Sequence, residues 1–89
     1  MATYIITYDL HDPANSPDVL AYVQTLGGMQ VSQSSYVAVT TKTANQIVTD
    51  LRGITKDKIT IYVFPVHDPH DGFGPKATNA WLQKIMPDA

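Results

Sequence analysis

Cysteine is absent from this chain of 89 residues, which excludes the disulfides that hold many small secreted domains together and any zinc site built on thiolates. Glutamate is absent as well, so all eight acids are aspartate. Basic residues are few. Six Lys and Arg against those eight acids leave a net charge of −2, whereas proteins that grip nucleic acid mainly through its phosphates are usually basic, so tight, non-specific coating of DNA is disfavoured. Long apolar runs are missing, and Met1 to Ile6 carry no basic stretch ahead of an apolar one. The expectation is a soluble, cytoplasmic protein with no membrane partner. A domain of this size buries only roughly 60 to 65% of the surface its unfolded chain exposes. With no disulfide to add, pairing of two copies is the expected source of further burial.

What is present reads as one domain over residues 1–89, with a core at 3–65 and a C-terminal loop and helix at 66–86. Thr3 to Tyr8 is rich in β-branched and aromatic residues and predicts the first strand. A turn-forming stretch follows, and then Ser16-Pro17-Asp18 supplies a capping serine, a proline suited to a first helical position and an acid for the helix dipole. Val19, Leu20, Val23 and Leu26 recur at helical spacing, and Gly27-Gly28 stops that helix. Met29 to Gln33 and Ser35 to Thr41 predict a hairpin. Thr43-Ala44-Asn45-Gln46 matches a capping box heading a second helix, whose stripe of Ala44, Ile47, Val48 and Leu51 is expected to close at Gly53. Ile59 to Phe64 predicts a fourth strand ended by Pro65. Lys76 to Met86 predicts a last amphipathic helix marked by Ala77, Trp81, Leu82 and Ile85.

Strand, helix, hairpin, helix, strand is the split βαβ order. Right-handed crossovers fold it into a ferredoxin-like α+β sandwich, βαββαβ, with a four-stranded antiparallel sheet, two helices on one face and the C-terminal helix added. Alternation lets Ile5, Val37, Val39, Ile59, Ile61 and Val63 face the helices, which leaves Tyr4, Ile6, Tyr8, Tyr36, Tyr62 and Phe64 on the other side. An aromatic face of that kind marks an interface or a ligand platform. Its cover is a second subunit or the C-terminal helix through Trp81, a stack of bases as on an RNA-recognition motif, or a small ligand. Ser35 to Thr40 lacks the basic and Gly-aromatic pattern of that motif, so Tyr4, Tyr8, Tyr36, Tyr62, Phe64 and Trp81 are the expected interface residues.

Asp9 puts a carboxylate where the first, central strand leaves the sheet, at the end where the hairpin turn around Ser32 to Ser35 and the start of the last strand near Asp57 also arrive. It reads either as a turn cap bonding nearby backbone groups or as a functional carboxylate. An opening strand ending in Tyr8-Asp9, a helical unit finishing in Leu26-Gly27, a strand pair containing Gln33-Ser34-Ser35-Tyr36 and the late Asp57-Lys58-Ile59-Thr60-Ile61-Tyr62 together resemble the CRISPR-associated Cas-two family and its virulence-associated protein D relatives, over roughly residues 3 to 65. The resemblance implies a small, divergent bacterial or phage-borne homodimer. In it, catalytic Asp9 and its symmetry mate hold Mg²⁺ or Mn²⁺ for phosphodiester hydrolysis of RNA or DNA, or the protein is a non-catalytic scaffold for an integrase. One or two carboxylates with several waters suffice for Mg²⁺, which polarises phosphate and activates water.

His67-Asp68-Pro69-His70-Asp71 is the other candidate, with His67, Asp68, His70 and Asp71 as potential ligands for zinc or manganese and a partial echo in His11-Asp12-Pro13. A solvated turn is the competing reading, since Asp and Pro are ordinary turn residues. The first and last strands run antiparallel, so only an intersubunit arrangement would join the two segments. No nucleophile elbow surrounds Ser32, Ser34 and Ser35, and Gly72-Phe73-Gly74 lacks the lysine and spacing of a phosphate loop. The functional expectation is a metal-dependent, nuclease-like homodimer with nucleic acid as its substrate; the alternative is a non-catalytic dimeric interaction module or a nucleotide-binding one.

Overall fold

The β-branched residues and tyrosines at the N-terminus form β1 (Ala2–Leu10) in the computed structural model, which describes residues 1–68 and 70–86. Pro69, within the His-Asp-Pro-His-Asp segment, and the last three positions of the expected domain lie outside the described residues. After β1, Asp12 caps a short 3-10 turn, Pro13–Asn15, by accepting from the Ala14 N–H at 3.0 Å. That turn runs straight into α1 (Ser16–Gln24). Ser16 is therefore the first helical residue instead of the expected cap, because Pro13 has already set the helical φ and Asp12 has taken the capping role one turn earlier. Gly27 then adopts φ +63°, and a Cβ on Gly28 would stand 2.2 Å from the Val37 carbonyl oxygen. The chain can pass this close to the next strand only as glycine.

β2 (Met29–Ser32) and β3 (Ser35–Thr40) form the hairpin. The predicted capping box heads α2 (Ala44–Thr55): Gln46 N donates to Thr43 Oγ1 at 3.1 Å and Thr43 N to Gln46 Oε1 at 2.8 Å. The helix does not close at Gly53. Buried Thr55 carries the inward stripe of Ile47 and Leu51 one turn further, and the left-handed residues are Lys56 and Asp57. A glycine inside a helix costs about 1 kcal/mol relative to alanine, less than another packed turn returns. β4 (Ile59–Pro65) and α3 (Lys76–Ile85) follow as expected.

The sheet order is β2-β3-β1-β4, antiparallel at each pairing, so the fold is the ferredoxin-like α+β type, with β1 central and β4 an edge. Ile6 stands opposite both Tyr36 and Val63, and all three belong to the face that packs under α1 and α2. Val19 and Val23 from α1, Leu26 just after it, and Ile47 and Leu51 from α2 close the core over it, each 3% exposed or less. Full burial of each such side chain contributes about 1.5 to 3 kcal/mol.

This assignment reverses part of the expected face division. Ile59, Ile61 and Val63 do face the helices, but on β1 and β3 the inward residues are Tyr4, Ile6, Tyr8, Tyr36 and Ala38. Ile5 stands opposite Val37 and Phe64 on the other side of the sheet. Tyr4, Tyr8 and Tyr36 thus pack with the core and are not an outer interface; Tyr36 is only 5% exposed. Tyrosine serves there because its ring fills the core while its hydroxyl reaches the rim.

Candidate functional site

Asp9 is exposed, near the C-terminal end of β1 and opposite Thr60 of β4. Beyond it the strand pairing continues, with His11 N donating to the Lys58 carbonyl at 3.2 Å. The His11 ring comes back to the same pair: its Nε2 lies 2.9 Å from Thr60 Oγ1. On the other side, Tyr8 N donates to the Ser34 carbonyl at 3.0 Å and draws the β2–β3 turn in. Tyr8, Asp9, Leu10, Pro13, Ser16, Gln33 and Ser34 line a cavity of about 450 Å³. The expected convergence of strand end, hairpin turn and start of β4 is therefore present. Asp57, at that end too, is engaged elsewhere, in an ion pair with Arg52 (Nε to Oδ1, 2.8 Å). Burial, with the neighbouring Tyr36 adding to it, pushes the Tyr8 phenol up from its ordinary range.

The His-Asp-Pro-His-Asp segment leaves the opposite end of β4, where Pro65 stands opposite Tyr4 and Val66 N donates to the Thr3 carbonyl at 2.9 Å. His70 Nδ1 meets Asp68 Oδ1 at 3.1 Å. Asp71 accepts from the Gly72 N–H, and His67 is exposed. The four candidate ligands are not gathered: among the described residues, no group of three or more His, Cys, Asp or Glu is placed to hold a metal ion. Among the four candidate ligands, the described contact is between His70 and Asp68.

Of the expected interface residues, Tyr62 and Phe64 lie on the outer face, 61% and 53% exposed, with ring centroids 6.4 Å apart and planes inclined by 18°. Trp81 is half-buried on α3. α3 returns over the same face nearer β2, where Leu82 and Met86 share a cavity with Ile5, Val31 and Val37.

One cluster escaped the sequence reading. Tyr22 on α1 donates its hydroxyl to Asp50 Oδ2 on α2 at 2.5 Å, and Lys42 Nζ reaches the same oxygen at 2.8 Å while lying 5.7 Å from the Tyr22 ring centre. The lysine and then the phenol hold the Asp50 carboxyl below its ordinary range; burial first, then Asp50, pushes the Tyr22 phenol up. It ties the two helices together at the rim of the core. The only sequence signal was a polar group beside each apolar stripe, which does not say that the two meet.

A ferredoxin-like α+β protein with one exposed carboxylate at the end of its central strand is the class that fold and site define. No family model matches the chain, and no curated protein matches it. Among solved structures it is similar to a hypothetical protein, TT1823, from Thermus thermophilus, at a TM-score of 0.68 and 14% identity, over 83% of this chain and 92% of that one. This likeness concerns the fold.

Proposed function

We propose that this protein is a divergent, nuclease-like homodimer of the CRISPR-associated Cas-two type, working in the cytoplasm and hydrolysing phosphodiester bonds of RNA or DNA with Mg²⁺ or Mn²⁺. The observation that carries the reading is the situation of Asp9: an exposed carboxylate at the end of the central strand, beside a cavity of about 450 Å³ and the His11–Thr60 hydrogen bond. A lone carboxylate fits a hard, water-rich cation, which takes one or two protein oxygens and keeps several waters. It does not fit zinc, which wants three or four protein ligands. Asp9 and its counterpart in a second copy would hold the ion; when bound, the ion neutralises phosphate charge and lowers the pKa of a water. Thr60 and His11 supply hydrogen-bonding groups for the sugar-phosphate next to it, and the Tyr62–Phe64 strip on edge strand β4 supplies apolar surface for the pairing of copies.

The test is cleavage of single-stranded RNA and DNA with Mn²⁺ or Mg²⁺ by the wild type and by Asp9→Ala, with circular dichroism and sedimentation confirming that the variant is folded and associated as before. Loss of at least about a hundredfold in rate, the usual scale for removing a group that acts on the reacting centre, is the expected result; equal cleavage by the two proteins overturns it. A non-catalytic homodimeric interaction or nucleotide-binding module is the second reading. It is favoured by the exposed Tyr62–Phe64 strip on edge strand β4, and it predicts a dimer that cleaves nothing with either metal.

A further inference from the structure

A cavity of about 400 Å³ separates α3 from the outer face of the sheet. Its floor is aliphatic, with Ile5, Val31 and Val37 from three neighbouring strands, and Leu82 closes it from the helix. It opens into a second hollow of about 410 Å³, and His70, Asp71 and Asn79 line both. The size and the pairing of an apolar floor with a few polar groups are those of a small-ligand site.

Those polar groups are held in place by the protein. His70 Nδ1 lies 3.1 Å from Asp68 Oδ1, and the two side chains keep only 20% and 23% of their exposure. With the ring proton on Nδ1, the other nitrogen, Nε2, is an acceptor. Asn79 donates through Nδ2 to the Gly74 carbonyl at 3.1 Å, so its Oδ1 is the end available to a ligand. Asp71 adds a carboxylate, fixed by the Gly72 N–H at 2.8 Å. Among the described residues, no Lys or Arg lines either hollow. A rim of oriented acceptors with a negative charge repels phosphates and carboxylates and complements a positively charged donor.

We propose that the crevice under α3 binds a small amphipathic amine, its apolar body on Ile5, Val31, Val37 and Leu82 and its ammonium group among His70, Asn79 and Asp71. The site shares no residue with the Asp9 cavity and stands whether or not Asp9 is catalytic.

Phenethylamine and 3-phenylpropionate, which share a ring and differ in the sign of the terminal charge, are titrated into the isotope-labelled full-length protein at pH 7.5. The amine shifts the methyl signals of Val31, Val37 and Leu82 at millimolar concentration or below, and the acid binds at least about tenfold more weakly, the loss of one charge-assisted hydrogen bond. Asp71→Asn and Asn79→Leu each weaken the amine severalfold while leaving the remaining spectrum in place. Equal binding of amine and acid, shifts confined to the Tyr62–Phe64 strip, or no shift at millimolar amine overturns the proposal. The comparison of the two ligands on the wild type decides it even if a variant fails to fold.

Discussion

The two faces of the sheet are built for different ends. Under α1 and α2, Ile6, Tyr36 and Ala38 interlock with Val19, Val23, Ile47 and Leu51 until none is more than 5% exposed. On the outer face Tyr62 and Phe64 stand half open, α3 buries none of its own residues, and a cavity lies between helix and strands. Both faces carry apolar residues, with Ile5, Val31 and Val37 on the outer one, but on β1 the inward Tyr4, Ile6, Tyr8 and Leu10 are all apolar while Thr3, Thr7 and Asp9 share the other side with Ile5. Cover separates them further: two helices, α1 and α2, on one side, and the single helix α3, which follows Gly72, Gly74 and Pro75, on the other. Stability is concentrated where side chains interdigitate, which leaves the other face free to carry ligands or partners.

That contrast breaks most readily in the core. Leu51→Ala, at a fully buried position, is expected to lose about 2 to 5 kcal/mol, a large part of the roughly 5 to 15 kcal/mol that holds a small domain folded. Urea denaturation measures it; a loss no greater than that of an outer-face variant would mean that the faces are equivalent. Gly28→Ala comes next. The added carbon meets the Val37 carbonyl oxygen at 2.2 Å, so backbone must shift at about 1 to 3 kcal/mol, read as a lower midpoint in the same denaturation.

The rim cluster sharpens the comparison through pH. Because the folded-state carboxyl of Asp50 titrates below its ordinary value, its contribution is present above the unfolded-state value near 3.8 and is lost as pH falls through the lower folded-state value. The Tyr22 phenol is raised, so its share is present below its ordinary value of 10.0 and is lost as pH rises beyond that. Asp50→Asn should therefore reduce stability by about 1 kcal/mol or less at pH 7, given the partial exposure of the pair, and flatten the acid limb of the stability curve. An unaltered acid limb would assign that limb to other carboxylates. The smallest stability effect is expected on the outer face: Tyr62→Asp should change monomer stability by no more than about 0.5 kcal/mol but abolish, in sedimentation, the pairing of copies proposed above. An intact dimer would move the seam away from β4.

How much of this was legible in advance depended on whether a signal was local. The capping box at Thr43 and Gln46 was readable because both partners lie within one turn, and Asp9 could be placed near the hairpin turn because antiparallel topology alone brings those ends together. The continuation of α2 past Gly53 was not readable, since it depends on the core that Thr55 enters. The His67 to Asp71 segment offered four ligands by residue type, but whether a loop folds its side chains inward or outward depends on its tertiary contacts, and among the described residues no three of them gather.

By itself the sequence determined the periodicities, and through them the order of elements, their boundaries to within a turn and the ferredoxin-like α+β sandwich. Only the tertiary structure decided which side of β3 turned toward the helices. A period of two says that a strand has two faces and carries no sign, and with apolar residues at Tyr36, Val37, Ala38 and Val39 alike, the choice rested on which set interlocked with α1 and α2 once β1, β3 and β4 were in register.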